Sequence, residues 1–370
     1  MPGIVFSTTN SGINETNNAL IGRYEMPVRM IIQNESDMCA KNDDLVKALF
    51  EVHKSNRFGE SIITDNEFDI FTPVAEGGAA PGVTYKEVAS KDVKHTTFKS
   101  QFRITTEMME DSNINQITVR AQKHTRSYYR TCNMFASALY TGAFGGADGS
   151  KKTVAFGSQT GTQNFDITTA DGVALFSAQH AVSPNRNHYV LTGAIDTSLI
   201  EAALSAAVDR IRNMKDANGY SMGYTADTIV IPADDPALET AVKKVLGSQF
   251  SNGTNGLLSG SISLHYGNWT LIVDPLWTRT VKTTHPMMIL SSEARRNLQG
   301  AVFFDRKPLT ISAHVDQETD DYIWNGAARM SGAFTSHKFA YMIELLDKGT
   351  TGLIDGGVAG TSEESTAVSL

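Results

Sequence analysis

The chain has 370 residues, enough for two or three packed units at roughly 150 residues each. Its composition is globular, with 41% hydrophobic and 19% charged residues, and a net charge of −8 excludes a dedicated DNA-binding protein, so any nucleic-acid contact must be local. Cys39 and Cys132 are too few for a disulfide framework or a four-cysteine zinc site, and no apolar run approaches the ~18 residues of a membrane span. With no basic residue before a short apolar stretch at Met1–Asn10, the chain reads as cytoplasmic, outside any membrane.

The first forty residues alternate polar and apolar without a sustained period and carry Asn10, Asn14, Asn17 and Asn18, which predicts an extended arm. A helix should follow from Asp43 or Asp44, on the spacing of Leu45, Val46, Leu49, Phe50 and Val52, and stop before Gly59. From Ser61 to Ile104 the texture is β: Ile62-Ile63, Phe68 to Phe71, a Gly/Ala/Pro stretch over Glu76–Gly82, Val83 to Tyr85, and a period-two run over Phe98–Ile104. Strands flanking a glycine-rich tip predict a long hairpin, which tends to project from its domain.

From Asp111 to about Thr141 the signal is that of one long helix. Asp111, Ser112 or Asn113 can cap it, and Ile114, Ile117, Ala121, His124, Tyr128, Cys132, Phe135 and Leu139 recur every three or four residues until Gly142. Such a helix is roughly 40 Å long at 1.5 Å per residue. Between Ser112 and Ala147 there is no Asp or Glu, while Arg120, Lys123, Arg126 and Arg130 share a stripe away from the apolar one. Either that stripe meets a polyanion, or it is a solvated face pairing with acidic groups, for example the Asp316–Asp321 turn, Glu107 or Glu110 of adjacent subunits.

A Gly-rich break (Gly142–Gly161) and a turn-rich segment through Asn187 lead to an α/β module: helix Thr197–Lys215, strand Thr228–Ile231, and helix Pro236–Leu246 capped by Asp234 or Asp235. Strands are expected at Ser261–Tyr266, Trp269–Val273 and Met287–Leu290, then at Val302–Phe304, Leu309–Val315, Tyr322–Met330 and Phe334–Leu346. The end, Gly349–Leu370, is rich in Gly, Thr and Ser and has little to bury.

Catalytic templates find little purchase. Gly219-Tyr220-Ser221-Met222-Gly223 matches GxSxG, but that elbow needs a strand before it and a helix after it, and here a helix precedes and a strand follows. There is no phosphate-cradling loop and no HExxH, and His180 and His188 stand in a turn-rich segment. Asp316, Glu318, Asp320 and Asp321 crowd one turn without the spacing of a calcium loop, so a solvated hairpin tip is the simpler reading. The expectation is a non-enzyme with no cofactor and no metal.

The order of elements carries more than any motif. An arm, a short helix, a projecting hairpin, a long helix, an α/β module and a return of long strands resembles the α+β fold of tailed-phage major capsid proteins, the HK97 fold. The likeness is strongest at Leu175–His180, Leu191–Gly193 into Ser198–Lys215, and Asp227–Pro232, and the closing strands Asp321–Met330 and Phe334–Glu344 are similar to those of the Mu-like head subunits. The resemblance implies an arm and short helix over 1–60, an extended loop over 61–104, and a peripheral domain over 105–191 with its spine helix at 111–141. It further implies an axial domain over 192–300, returning peripheral strands over 301–348 and a tail over 349–370. It also implies hexamers and pentamers closing an icosahedral shell around double-stranded DNA, within a virion assembled in the bacterial cytoplasm. Portal and scaffolding proteins would be partners, the latter separate because the chain starts almost directly in the arm, and a decoration protein is optional. In the family the spine helix lies toward the lumen, so Arg120, Lys123, Arg126 and Arg130 would meet DNA without sequence specificity. The alternative in the same fold is an encapsulin-like nanocompartment shell. Some relatives join a loop lysine to an asparagine of a neighbour; Lys86, Lys91 and Lys94 with Asn297 or Asn325 are the residues on offer, and no crosslink is expected.

Overall fold

The computed structural model describes residues 5–6, 28–40, 44–65, 70–79, 82, 87–110, 114–144, 150–158, 161–180, 186–216, 218–247, 250–252, 258–262, 265–279 and 281–347. In chain order these form β1 (Val5–Phe6), helix α1 over 28–40, α2 (Asp44–Leu49), β2 (Glu51–Lys54), β3 (Gly59–Asp65), β4 (Glu87–Lys94), β5 (Thr96–Ile104), α3 (Thr106–Glu110) and α4 (Ile114–Thr141). There follow β6 (Thr153–Ser158), β7 (Gly161–Asp166), β8 (His188–Thr192), α5 (Thr197–Asn213), β9 (Thr228–Pro232), α6 (Pro236–Gly247), β10 (Phe250–Asn252) and β11 (Leu258–Ile262). The last are β12 (Thr270–Asp274), β13 (Thr284–Leu290), α7 (Ser292–Asn297), β14 (Ala301–Val315), β15 (Tyr322–Phe334) and β16 (Ala340–Leu346). The class is α+β, and the chain divides into two units.

The first unit gathers Met1–Glu60, Asp92–Ala136 and Val302–Gly332. Its sheet runs β1-β14-β15-β5, with β2 also paired in parallel to β14. The 28-residue α4 lays its apolar stripe on this sheet: Ile117, Ala121, His124, Cys132 and Phe135 are buried at helical spacing. One cluster joins Ile117 and Ala121 to Val28 and Ile32 of α1, Ile104 of β5, Leu309 and Ile311 of β14, and Trp324 of β15.

Several expectations need correction here. Residues 28–40 are helical rather than an extended arm, because Val28 and Ile32 stand one turn apart and both are fully buried; Ser36, one turn further, meets Tyr129 Oη at 2.6 Å. Residues 7–27 lie outside the described part. The helix at Asp44 ends at Leu49, since Val52 and its neighbours are taken up by β14 in the register Val52↔Phe303; strand pairing overrides the helical spacing. The run Phe98–Ile104 alternates as expected but does not close the hairpin: β5 pairs with β15 from Thr96↔Met330 to Tyr322↔Ile104, and β3 pairs with β4 instead. Ile70 and Phe71 belong to no strand, whereas Phe68 and Val83–Tyr85 fall outside the described residues.

The second unit comprises Ser61–Lys91, Ser137–Ala301 and Ala333–Leu370. Its main sheet has the order β12-β9-β13-β16-β8, with β9, β13 and β16 buried at every residue, which is why they read as continuous apolar runs. Helix α5 starts where Asp196 accepts the Leu199 amide at 2.9 Å and buries Ile200, Ala203, Leu204, Ala207 and Ile211. Helix α6 is capped by Asp235, which accepts the Leu238 amide at 3.2 Å, and opens on Pro236, whose missing N–H is one no helix start can use. The hairpin β6–β7 occupies segments expected to be break and turn, β8 opens the module ahead of its first expected helix, and Phe334–Leu346 is two strands rather than one, broken between Phe334 and Ala340.

Candidate nucleic-acid interface

Helix α4 turns its cationic stripe outward, and Arg120, Lys123, Arg126 and Arg130 are all exposed. Arg120 Nη1 donates to the Arg103 carbonyl at 2.7 Å. Arg126 Nε donates to Glu35 of α1, a carboxylate whose side chain is only 6% exposed, and this bond pushes the Arg126 pKa further up. Lys123 and Arg130 have no ion-pair partner among the described residues. The stripe is thus half committed to its own unit.

Within the chain the acidic groups named from the sequence have other neighbours. Asp316 and Asp321 flank the β14–β15 turn, and both take Arg103, at 3.2 Å each. Glu107 is exposed, and the Glu110 side chain lies outside the described residues. Glu35 was not foreseen because its segment read as arm; its place three residues after Ile32 on the α1 pattern is the signal that would have found it. What remains is a row of exposed cations at three- and four-residue spacing on one helix, a charge pattern that can meet a line of phosphates.

The other sequence candidates are accounted for by geometry. Ser221 Oγ donates to the Arg212 carbonyl at 2.6 Å, in a bridge between Lys215 and Ser221, so its proton is spent on a backbone oxygen. His188 Nε2 sits 3.2 Å from the fully buried Glu344 of β16. His180 Nδ1 lies 2.8 Å from Asp171 Oδ2, and its ring stacks on His337, with centroids 3.7 Å apart and planes 14° from parallel. An ion in the plane of one imidazole would be far out of the plane of its stacked neighbour, so these groups are arranged as a clamp on the loop around Asp171. Burial alone would push the Asp171 carboxyl up; hydrogen bonds from His180 and Thr169 more than reverse this and hold it well below the usual carboxylate range.

Among the loop lysines, Lys91 is buried, ion-paired with Asp166 at 3.2 Å and donating to the Thr168 carbonyl, so it is not available to a neighbour. Lys94 is exposed, Lys86 is outside the described residues, and Asn325 Nδ2 is 3.3 Å from His314 Nδ1.

The sequence profile of the phage capsid protein family matches residues 86–343, a span that includes all of α4 and most of both units. The chain belongs to that family. As a phage capsid protein it is a component of the virion. No curated protein matches this capsid protein in sequence. In structure it is similar to the capsid of Myoviridae phage XM1, at 13% identity and a TM-score of 0.47 over 82% of this chain and 92% of that one. It is similar also to a protein of Mycobacterium phage Patience, at 14% identity and 0.47 over 96% and 95% of the two chains. A virus-like particle protein from Pyrococcus furiosus gives 9% identity and 0.47 over 86% and 98%. No helix among the described residues of the capsid protein is long and apolar enough to cross a membrane.

Proposed function

We propose that this capsid protein is the major shell subunit of a tailed phage, assembling through the HK97-like arrangement as hexamers and pentamers into an icosahedral container for double-stranded DNA. The observation that supports this most is the stretch Ile70–Ala79, exposed throughout, in which Ile70, Phe71 and Val74 turn large apolar side chains to solvent and Phe71 is as open as in an extended chain. Large apolar groups on a strandless segment are a liability unless a neighbouring copy covers them. The segment around β3 and β4 then serves as the extended loop, α4 as the spine, the first unit's sheet as the peripheral domain and the second unit's sheet as the axial domain. The role is structural rather than catalytic. A portal protein, a separate scaffolding protein and an optional decoration protein are its partners in this reading.

Within such a shell α4 faces the lumen, and Lys123 and Arg130, with Arg120 and Arg126 beside them, meet DNA phosphates. The contacts are weak per subunit and salt-sensitive, which lets the genome leave. Charge reversal tests this, and the pairing of Arg126 with the buried Glu35 dictates where. Lys123→Glu with Arg130→Glu leaves shell formation intact and lowers DNA retention, read by electron microscopy and by the DNA content of purified particles. Loss of shells, or unchanged retention at low and high salt, would assign the stripe to subunit contacts. Particles filled with protein cargo and free of DNA would favour the nanocompartment instead.

A further inference from the structure

His124 lies on the core-facing side of α4 and is 8% exposed. Its ring packs on Phe102 of β5, with centroids 4.9 Å apart, and sits over Gly326 of β15 so closely that a Cβ there would be 2.7 Å from His124 Cε1 and 3.2 Å from Leu309. Neither ring nitrogen makes a well-formed hydrogen bond among the described residues; the Ser100 backbone offers one of them only a weak contact. Phe or Met would fill this space without burying two poorly satisfied nitrogens, so packing alone does not call for histidine. What an imidazole adds is the capacity to take up a proton near neutral pH.

Among the described residues no charged group acts on that proton. β5 faces His124 with Phe102 and the Ser100 backbone, β15 with Gly326, and β14 with Leu309; Trp324, stacked on Phe102, extends the same apolar wall. The part of α1 in this cluster contributes Val28 and Ile32. On α4 itself Arg120 and Lys123 are exposed, and the Tyr128 hydroxyl stays neutral because burial pushes its pKa far up. Burial likewise lowers the His124 pKa, with the Ser100 backbone opposing only in part.

We infer that His124 makes the seating of α4 on the first unit's sheet acid-sensitive: a proton from solvent places an uncompensated charge in the apolar seam over Gly326 and loosens the helix from the sheet. The direction follows from linkage. A histidine neutral in the folded chain contributes its full stability above the ordinary value of about 6.5 and loses it as pH falls from there through the lower folded value. The inference concerns the packing of one unit and holds whether or not the protein builds a shell.

Hydrogen exchange on the full chain, corrected for intrinsic rates, tests it at about pH 7.5 and about pH 5, on either side of the ordinary imidazole range. Amides of α4 between 117 and 132 should exchange several-fold faster under acid, and His124→Phe should remove that acceleration. His124→Gln, polar but not titrating in this range, should remove it too and serves if the phenylalanine variant misfolds. Because exchange is read by segment, protonation of His95 or His285 elsewhere does not mimic the result. Acceleration that persists in both variants, α4 exchange that ignores pH in the native chain, or a His124 Cε1–H resonance titrating at the ordinary value would overturn the inference.

Discussion

Replacing residues 66–86 with a short turn that joins β3 directly to β4 should abolish closed shells while leaving both units folded. The described residues of this segment, 70–79 and 82, are all exposed, so removing them withdraws no core side chain. Burying side chains such as Ile70, Phe71 and Val74 against a neighbour is worth about 1.5–3 kcal/mol each, and every copy in a shell both gives and receives that contact. Circular dichroism and thermal melting of the variant subunit should match those of the native chain, and negative-stain images should show no closed particles. Shells of normal size would mean that these apolar groups do not join subunits.

Arg279→Met should be the most damaging single substitution within the second unit. Arg279 is 7% exposed and holds the β9–α6 corner together: Nε donates to Asp234 Oδ1 at 3.2 Å, Nη2 to the Asp234 carbonyl at 2.7 Å, and Nη1 lies 2.9 Å from Asp235 Oδ2. Asp235 is almost fully buried, caps α6 and also takes His285 Nδ1 at 2.6 Å. Removing one partner of a buried pair strands the other, a loss of about 3–5 kcal/mol, here moderated by His285. The size of the loss should depend on pH in a definite direction. The hydrogen bond to Asp235 raises the His285 pKa and the Arg279 charge opposes it, so the variant's histidine is the more readily protonated. Charged His285 stabilises fully below about 6.5 and loses that effect as pH rises through its raised folded value. Melting temperatures of the variant should therefore fall furthest short of native at alkaline pH; an equal deficit at all pH values would show that His285 does not share the Asp235 charge.

Long, strongly patterned elements were legible in the sequence, and short or context-dependent ones were not. The stripe from Ile117 to Leu139 has one period over many turns, and only a helix satisfies it. An aspartate before Pro236 announced α6, and Asp235 is the one that caps it. By contrast, β2 exists because β14 offers an edge, and nothing local to Glu51–Lys54 records that partner. The pairing of β5 with β15 joins residues more than two hundred positions apart, so a clean alternation told its state and not its neighbour. At the basic stripe, the residue types and their common face could be read from spacing alone. That Arg126 belongs to Glu35 and Arg120 to the Arg103 carbonyl could not, because both bonds depend on how α1 and β5 are brought to α4.

Electron cryomicroscopy of particles purified from cells expressing the full chain bears most directly on the proposed role. The expected result is a closed icosahedral shell in which Ile70, Phe71 and Val74 of each subunit are covered by a neighbour and Lys123 and Arg130 line the inner wall. A chain that remains a monomer or small oligomer with that segment in solvent, or a shell with α4 on its outer surface, would contradict it.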